Sequence, residues 1–220
     1  MGVMKKVIIM GSGAHAAEIE QYIIENNSFL NEFELLGFIS DSEELYNKYK
    51  LRAPYLGDTL NEKYINENVE IILGFSNVKG RFKLINQLTK RGFKFAKFVH
   101  HTSSIFPTAT IDEGCIICPY CQIGPNVVIH KFNTLNNKVN IGHDTTIGTN
   151  NIFCPNVGLS GNTKIGDNNF FSINSATIPN IQVGNSNIIA PNMVIEKNLK
   201  SDTTFFHRFK ETVLFTTNEI

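Results

Sequence analysis

The chain has 220 residues, 42% of them hydrophobic, which is enough for one large domain or two small ones with packed cores. Its 20 Lys and Arg balance its 20 Asp and Glu, so no net field draws it toward nucleic acid or an anionic membrane. No stretch approaches the roughly 18 apolar residues of a spanning helix, and the short apolar run at residues 7–10 lacks the pattern of a signal peptide, so a cytoplasmic protein is expected.

Residues 1–100 read as alternating strands and helices, the pattern of a small Rossmann-like βαβ domain. A buried strand is predicted at 6–10, a helix at 14–25, a second strand at 34–39, a third at 70–74, a helix at 81–88 and a fourth strand at 95–99. The stretch between 42 and 69 carries no clear pattern. In such a domain ligands sit beyond the carboxyl ends of the strands, where a Gly-rich turn lets backbone N–H groups approach a diphosphate. Gly11-Ser12-Gly13 stands in that place, and Asp41 ends the second strand, where a carboxylate can accept hydrogen bonds from a ribose or a base. The full GxGxxG spacing is absent because its third glycine position is Ala16, which counts against ordinary NAD binding.

From Ile105 onward an apolar residue recurs at every sixth position as far as Ile195, with Thr177 the one lapse in sixteen. Neither helix nor strand periodicity explains this. A parallel β-helix of hexapeptide repeats does: three short strands and three corners make one coil of 18 residues, and about five coils stack between 101 and 200. The position four after each apolar residue holds narrow side chains such as Cys115, Cys121, Val139 and Thr163, which suits a second inward site. Pairs such as Ile141-Gly142 and Ile165-Gly166 are expected to put glycine where the chain must bend. Cys115, Cys118 and Cys121 have a spacing that could grip zinc, but the repeat points them in different directions, with Cys118 outward. No metal is expected. Residues 201–220 form a Phe-rich tail that could cover an edge or contact a partner subunit.

Several motifs carry a family resemblance: residues 7–15 (VIIMGSGAH), 37–41 (GFISD), 136–144 (NNKVNIGHD) and 158–162 (GLSGN). Through them the chain resembles the hexapeptide-repeat sugar acetyltransferases, both the nucleotide-amino-sugar N-acetyltransferases of the PglD kind and the sialic acid O-acetyltransferases of the NeuD kind. Ile173-Asn174-Ser175 leans toward the former. The resemblance implies a left-handed β-helix, acetyl-CoA as co-substrate, a nucleotide-linked (UDP or dTDP) amino sugar as acceptor, and a homotrimer. It implies His143 as general base, oriented by Asp144. It also implies acceptor contacts at Gly11, Ser12, Gly13, His15, Asp41, Arg81 and Asn136, and acetyl-CoA contacts at Gly161 and Ile173. The base is chemically reasonable, since a sugar ammonium must lose a proton before its nitrogen attacks a thioester, and a free imidazole has a pKa of about 6.5. Gly161 lies one coil, 18 residues, after His143, so the two should stack at one corner, and the resemblance implies that a backbone N–H there stabilises the oxyanion. Sugar O-acetylation is the rival reading within the fold; a non-catalytic scaffold or a histidine-bound metal site are the readings outside it. The apolar outward residues Val128, Ile152, Phe170, Ile188 and Val194 suggest that prism faces pair between subunits.

Overall fold

Strand residues that alternate between two buried faces organise the N-terminal lobe. The structure, a computed structural model, describes residues 4–60 and 63–207. Strands β1 (Lys5–Met10), β2 (Phe33–Ile39), β3 (Glu70–Leu73) and β4 (Lys94–Phe95) form an all-parallel sheet in the order β2-β1-β3-β4. Val7 and Ile9 pack with Ile19 and Ile23 of α1 (Ala14–Asn27), while Ile8 and Met10 pack with Ile85 and Leu88 of α4 (Val78–Lys90). Both faces are therefore covered by helices, as parallel sheets require. The stretch that showed no pattern holds α2 (Glu43–Tyr49) and α3 (Lys63–Asn66). Helix α2 buries no residue and starts on a Ser42 cap, so it carries no amphipathic signal to read.

The strand predicted at 95–99 is two strands. Lys94–Phe95 pairs with β3, whereas Phe98–Val99 pairs with Ile116–Ile117 and begins the solenoid, so the domain boundary falls before Phe98 rather than at residue 100.

The solenoid's eighteen two-residue strands form three parallel sheets of seven, six and five, giving about six turns rather than the expected five. Val99 and Phe205 supply the additions at the two ends. We call face 1 the sheet from Phe98–Val99 to Thr204–Phe205, face 2 the sheet from Ser104–Ile105 to Val194–Ile195, and face 3 the sheet from Thr110–Ile111 to Gln182–Val183. Ladder partners are 18 residues apart, as in Ile129 with Ile147, except in the last coil, where Ile189 meets Phe205 after 16. This is the hexapeptide-repeat β-helix fold. The lapse at Thr177 is a satisfied inward polar residue: its hydroxyl oxygen accepts from the Ser160 N–H at 3.0 Å and lies 3.2 Å from the Thr163 hydroxyl.

The turn chemistry differs from expectation. From Gly114 to Asn192 every corner has a left-handed residue three after the inward one, and eight of the fourteen such non-glycine residues from Tyr120 to Asp202 are Asn. Asn tolerates that conformation because its short polar side chain bonds locally. The glycines at 142, 148, 166 and 184 do not take positive φ. They are small because successive coils touch there: a Cβ on Gly142 would lie 2.6 Å from the Gly161 nitrogen.

Inside the prism runs a ladder that the sequence reading passed over. Asn133, Asn151, Asn169 and Asn187 occupy the second inward position of successive coils, all fully buried. Each of the first three presents its carbonyl oxygen to both the backbone N–H and the side-chain amide of the next, at 2.8–3.0 Å.

The lobe docks on face 1. Phe98, Ile116 and Cys118 share one core with Val7, Ile9 and Ile19. Cys118 thus points out of the prism as expected, yet is buried under the lobe, and burial pushes its thiol pKa well up. Cys115 and Cys121 fill the prism core, and among the described residues no three His, Cys, Asp or Glu are grouped to hold a metal. Asn26 bolts α1 to the first coil, donating to the Val99 carbonyl and accepting from the His101 N–H, both at 2.8 Å. The tail contributes the last strand of face 1; Phe209 and Phe215 lie outside the described residues. Among the described residues no helix is long and apolar enough to cross a membrane.

Candidate functional site

The predicted site residues fall into two well-formed places and a few outliers. The first place is the carboxyl edge of the lobe sheet, where a cleft of about 560 Å³ is lined by Gly11, Ser12, Gly13, His15, Asp41 and Asp58, with Gly74 to Ser76 on the far wall. Gly11 is needed at φ +108°, and its Cα packs against the Gly74 carbonyl. Gly13 is the N-cap of α1; it offers no capping side chain, and no acidic residue stands in the first turn. The helix's free N–H groups and positive dipole end therefore face the cleft. Ser12 is buried, its hydroxyl 2.8 Å from Ser40 Oγ and 2.9 Å from the Ser42 carbonyl, so it braces the turn and offers a ligand only its backbone. His15 places Nδ1 3.3 Å from Glu18 and leaves Nε2 buried without a partner.

The second place is the corner between faces 2 and 3. His143 is 57% exposed and its Nδ1 lies 2.8 Å from Asp144 Oδ2. Asp144 takes the left-handed corner conformation at φ 57° and accepts a second bond from the Asn126 amide at 3.0 Å. That bond, with a smaller contribution from His143, holds the Asp144 carboxyl below its usual range. An ionised carboxylate can only accept, so in the neutral imidazole the proton belongs on Nδ1, which leaves the lone pair on Nε2. Directly below, one coil on, is Gly161, where a Cβ would lie 2.6 Å from His143 Nε2. Equivalent positions of this corner are Pro107, Pro125 and Pro179, so the ladder makes no use of an N–H there and that of Gly161 is free. A lone pair and an unused donor thus stand side by side at the surface. Gly161→Ala is expected to displace the imidazole without unfolding the coil, because the ring is the movable partner; a melting temperature within about 2 °C of wild type with at least a tenfold loss of any activity that uses His143 would show it.

The remaining predicted residues lie elsewhere. Asn136 and Ile173 are on the corner between faces 1 and 2, Asn136 using its carbonyl oxygen on the Asn137 N–H and Ile173 exposed. Arg81 requires correction. Its guanidinium is completely buried, donating to the carbonyls of Leu73, Phe75 and Phe132 and to Asn150 Oδ1, so it straps the lobe to the solenoid and cannot contact an acceptor. Burial without a carboxylate partner lowers its pKa to about 10. Of the outward apolar residues on face 1, Ile152 is buried while Ile188, two coils on, is 52% exposed, so the chain itself covers only the early coils of that face. Asp58 is the cleft residue that sequence reasoning missed, because it falls in the unpatterned stretch.

The lobe and the repeats can now be set against known proteins. Residues 6–88 match the PglD N-terminal domain. The fold as a whole is shared with PerB from Caulobacter crescentus, solved in complex with CoA and GDP-perosamine (19% identity, 91% of this chain and 93% of that one, TM-score 0.80). It is shared equally with the acetyltransferase domain of PglB from Neisseria gonorrhoeae, solved with acetyl coenzyme A (18%, 92% and 97%, TM-score 0.75), and with WeeI from Acinetobacter baumannii (20%, 91% and 96%, TM-score 0.74). A 52-residue stretch is 46% identical to an acyl-[acyl-carrier-protein]–UDP-N-acetylglucosamine O-acyltransferase of Thermodesulfovibrio yellowstonii; the match spans 20% of that protein's length.

Proposed function

We propose that this chain is an acetyl-CoA-dependent N-acetyltransferase acting on the amino group of a nucleotide-linked amino sugar, in surface-glycan biosynthesis. The observation that carries the reading is the corner itself, where the Asp144-held imidazole presents a basic Nε2 beside the free Gly161 N–H. The kinship of the lobe to the PglD N-terminal domain, and the acyl transfer named for proteins of the same fold, support it. His143 Nε2 takes a proton from the sugar ammonium, and the freed amine forms a bond to the thioester carbonyl carbon. The Gly161 N–H donates to the oxyanion. As the C–S bond breaks, the imidazolium returns its proton to the departing CoA sulfur, and the nitrogen's surplus proton passes to solvent water as the amide forms.

The two places cannot meet within one chain. The lobe sits on the early coils of face 1, whereas His143 stands on the edge opposite that face, between faces 2 and 3. A working site therefore takes its cleft from one subunit and its dyad from another, and a homotrimer supplies three such pairs by symmetry. Asn136 and Ile173, on the edge between faces 1 and 2, then lie where a neighbour's dyad is approached.

Mixing two inactive variants tests this. His143→Asn removes the base. Gly13→Asp places a favourable N-cap, so the helix is kept, but sets a carboxylate where the diphosphate would bind. Each is expected to be inactive alone in an assay of CoA release with acetyl-CoA and nucleotide-linked amino sugars. Co-expressed at equal levels, they should recover roughly a quarter of the wild-type activity, the share of clefts that pair an intact lobe with an intact dyad under random assortment. No recovery, with mixed oligomers verified by mass, would refute the shared site.

A further inference from the structure

We infer that the base end of the lobe cleft is built for guanine, so that the acceptor is a GDP-linked amino sugar, with Asp58 as the residue that selects the base. The inference rests on reading the cleft as a nucleotide-sugar site.

The layout follows the order of the nucleotide. At the carboxyl edge of the sheet, β1 ends at Gly11 beside the N-terminus of α1, and its neighbour β2 ends at Ser40-Asp41. Beyond β2 a further extended segment runs parallel to it: Tyr55 bridges Phe38, and the Ser40 N–H donates to the Gly57 carbonyl at 3.0 Å, which places Asp58 on the third step of the same edge. With strands about 4.8 Å apart, Asp58 lies roughly 10 Å across from the helix terminus. That is about the reach from a diphosphate across a ribose to a base. The diphosphate then meets the α1 N–H groups, the ribose meets Asp41, and the base edge meets Asp58. His15 Nε2, buried and without a hydrogen-bond partner, is a further polar group at the same cleft.

The charge is lopsided in a way that chooses among bases. Asp41 and Asp58 line the cleft, and no Lys or Arg does among the described residues. The Tyr55 hydroxyl donates to the Ser40 carbonyl at 2.6 Å and fixes the segment that carries Asp58 beside the end of β2, where Asp41 follows. A carboxylate binds best to two adjacent donors. Guanine offers that pair, N1–H beside the 2-amino group. Uracil and thymine offer a single N3–H between two carbonyl oxygens, which a carboxylate repels, and cytosine and adenine set their amino group beside an unprotonated ring nitrogen.

Calorimetric titration of the whole protein with GDP, IDP, UDP and dTDP tests the assignment. GDP is expected to bind at least tenfold tighter than UDP or dTDP, and IDP, which lacks the 2-amino group, to fall between them. Asp58→Asn, whose amide has one acceptor in place of two, should weaken GDP about tenfold and leave UDP unchanged. UDP or dTDP binding as tightly as GDP, or an unchanged GDP-to-UDP ratio in Asp58→Asn, would overturn the guanine assignment while leaving the nucleotide-sugar reading in place. Failure of all four to bind would overturn both.

Discussion

Replacing His143 with Asn is expected to lower kcat by roughly 10²–10⁴-fold, the contribution of a positioned general base, with little change in the affinity for acetyl-CoA. The side chain is more than half exposed and packs against nothing but its own corner, so the melting temperature should stay within about 2 °C of wild type. Asn keeps a hydrogen-bonding group near Asp144 while offering no nitrogen lone pair, which isolates the loss of the base from the loss of the contact. CoA release measured at saturating acceptor reads kcat directly. An undiminished rate would remove His143 from the mechanism and with it the main support for acetyl transfer at this corner.

Asn151→Ala is expected to damage the fold severely. In the wild type the Asn151 carbonyl oxygen accepts both the backbone N–H of Asn169 at 2.8 Å and its side-chain amide at 2.9 Å, in a fully buried setting. Alanine leaves two buried donors without an acceptor and removes the amide that bonds Asn133 at 3.0 Å. With about 1–3 kcal/mol for each of the two stranded groups, the loss is about 2–6 kcal/mol. For a chain of this size that corresponds to a fall of about 10 °C in melting temperature. Asn174 offers the control. It belongs to an outward, exposed row with Asn156 and Asn192, and sits in the left-handed region at φ 59°. Asn174→Gly keeps the conformation and should cost less than about 0.5 kcal/mol. Equal losses in the two variants would show that the inward ladder carries no special share of stability.

The contrast between those two rows shows what the sequence made legible. One inward apolar residue per strand imposes the six-residue period, and that period is visible because any polar lapse must find a partner, as Thr177 does. The inward Asn row was equally present at a spacing of 18, but a polar residue in a core position resembles a surface residue until its partners are seen. The same ambiguity hid the docking of the lobe. Ile116 and Ile152 look like any outward residues of a strand, and only the fold shows that they are buried. Motif matching singled out His143, Asp144 and Gly161, which the structure brings together because their relation is local to one corner. It misassigned Arg81 because an arginine in the right place on a helix does not reveal which way its guanidinium turns. Asp58 was invisible for a further reason: it reaches the cleft through an irregular segment that pairs beside β2 and has no periodicity of its own.

The prolines above and below His143 have a consequence for how such a protein changes over time. A position whose N–H no neighbour needs, and whose side chain leaves the prism, places almost no demand on residue type. Pro, His, Gly and Lys follow one another there at 125, 143, 161, 179 and 197 with only Pro repeated, and the coils beside them keep their register. Mutational drift at that column is therefore uncoupled from folding. A reactive side chain can arise, be lost or shift by one coil of 18 residues without disturbing the ladder, which leaves the chemistry of the corner open to selection while the scaffold stays fixed.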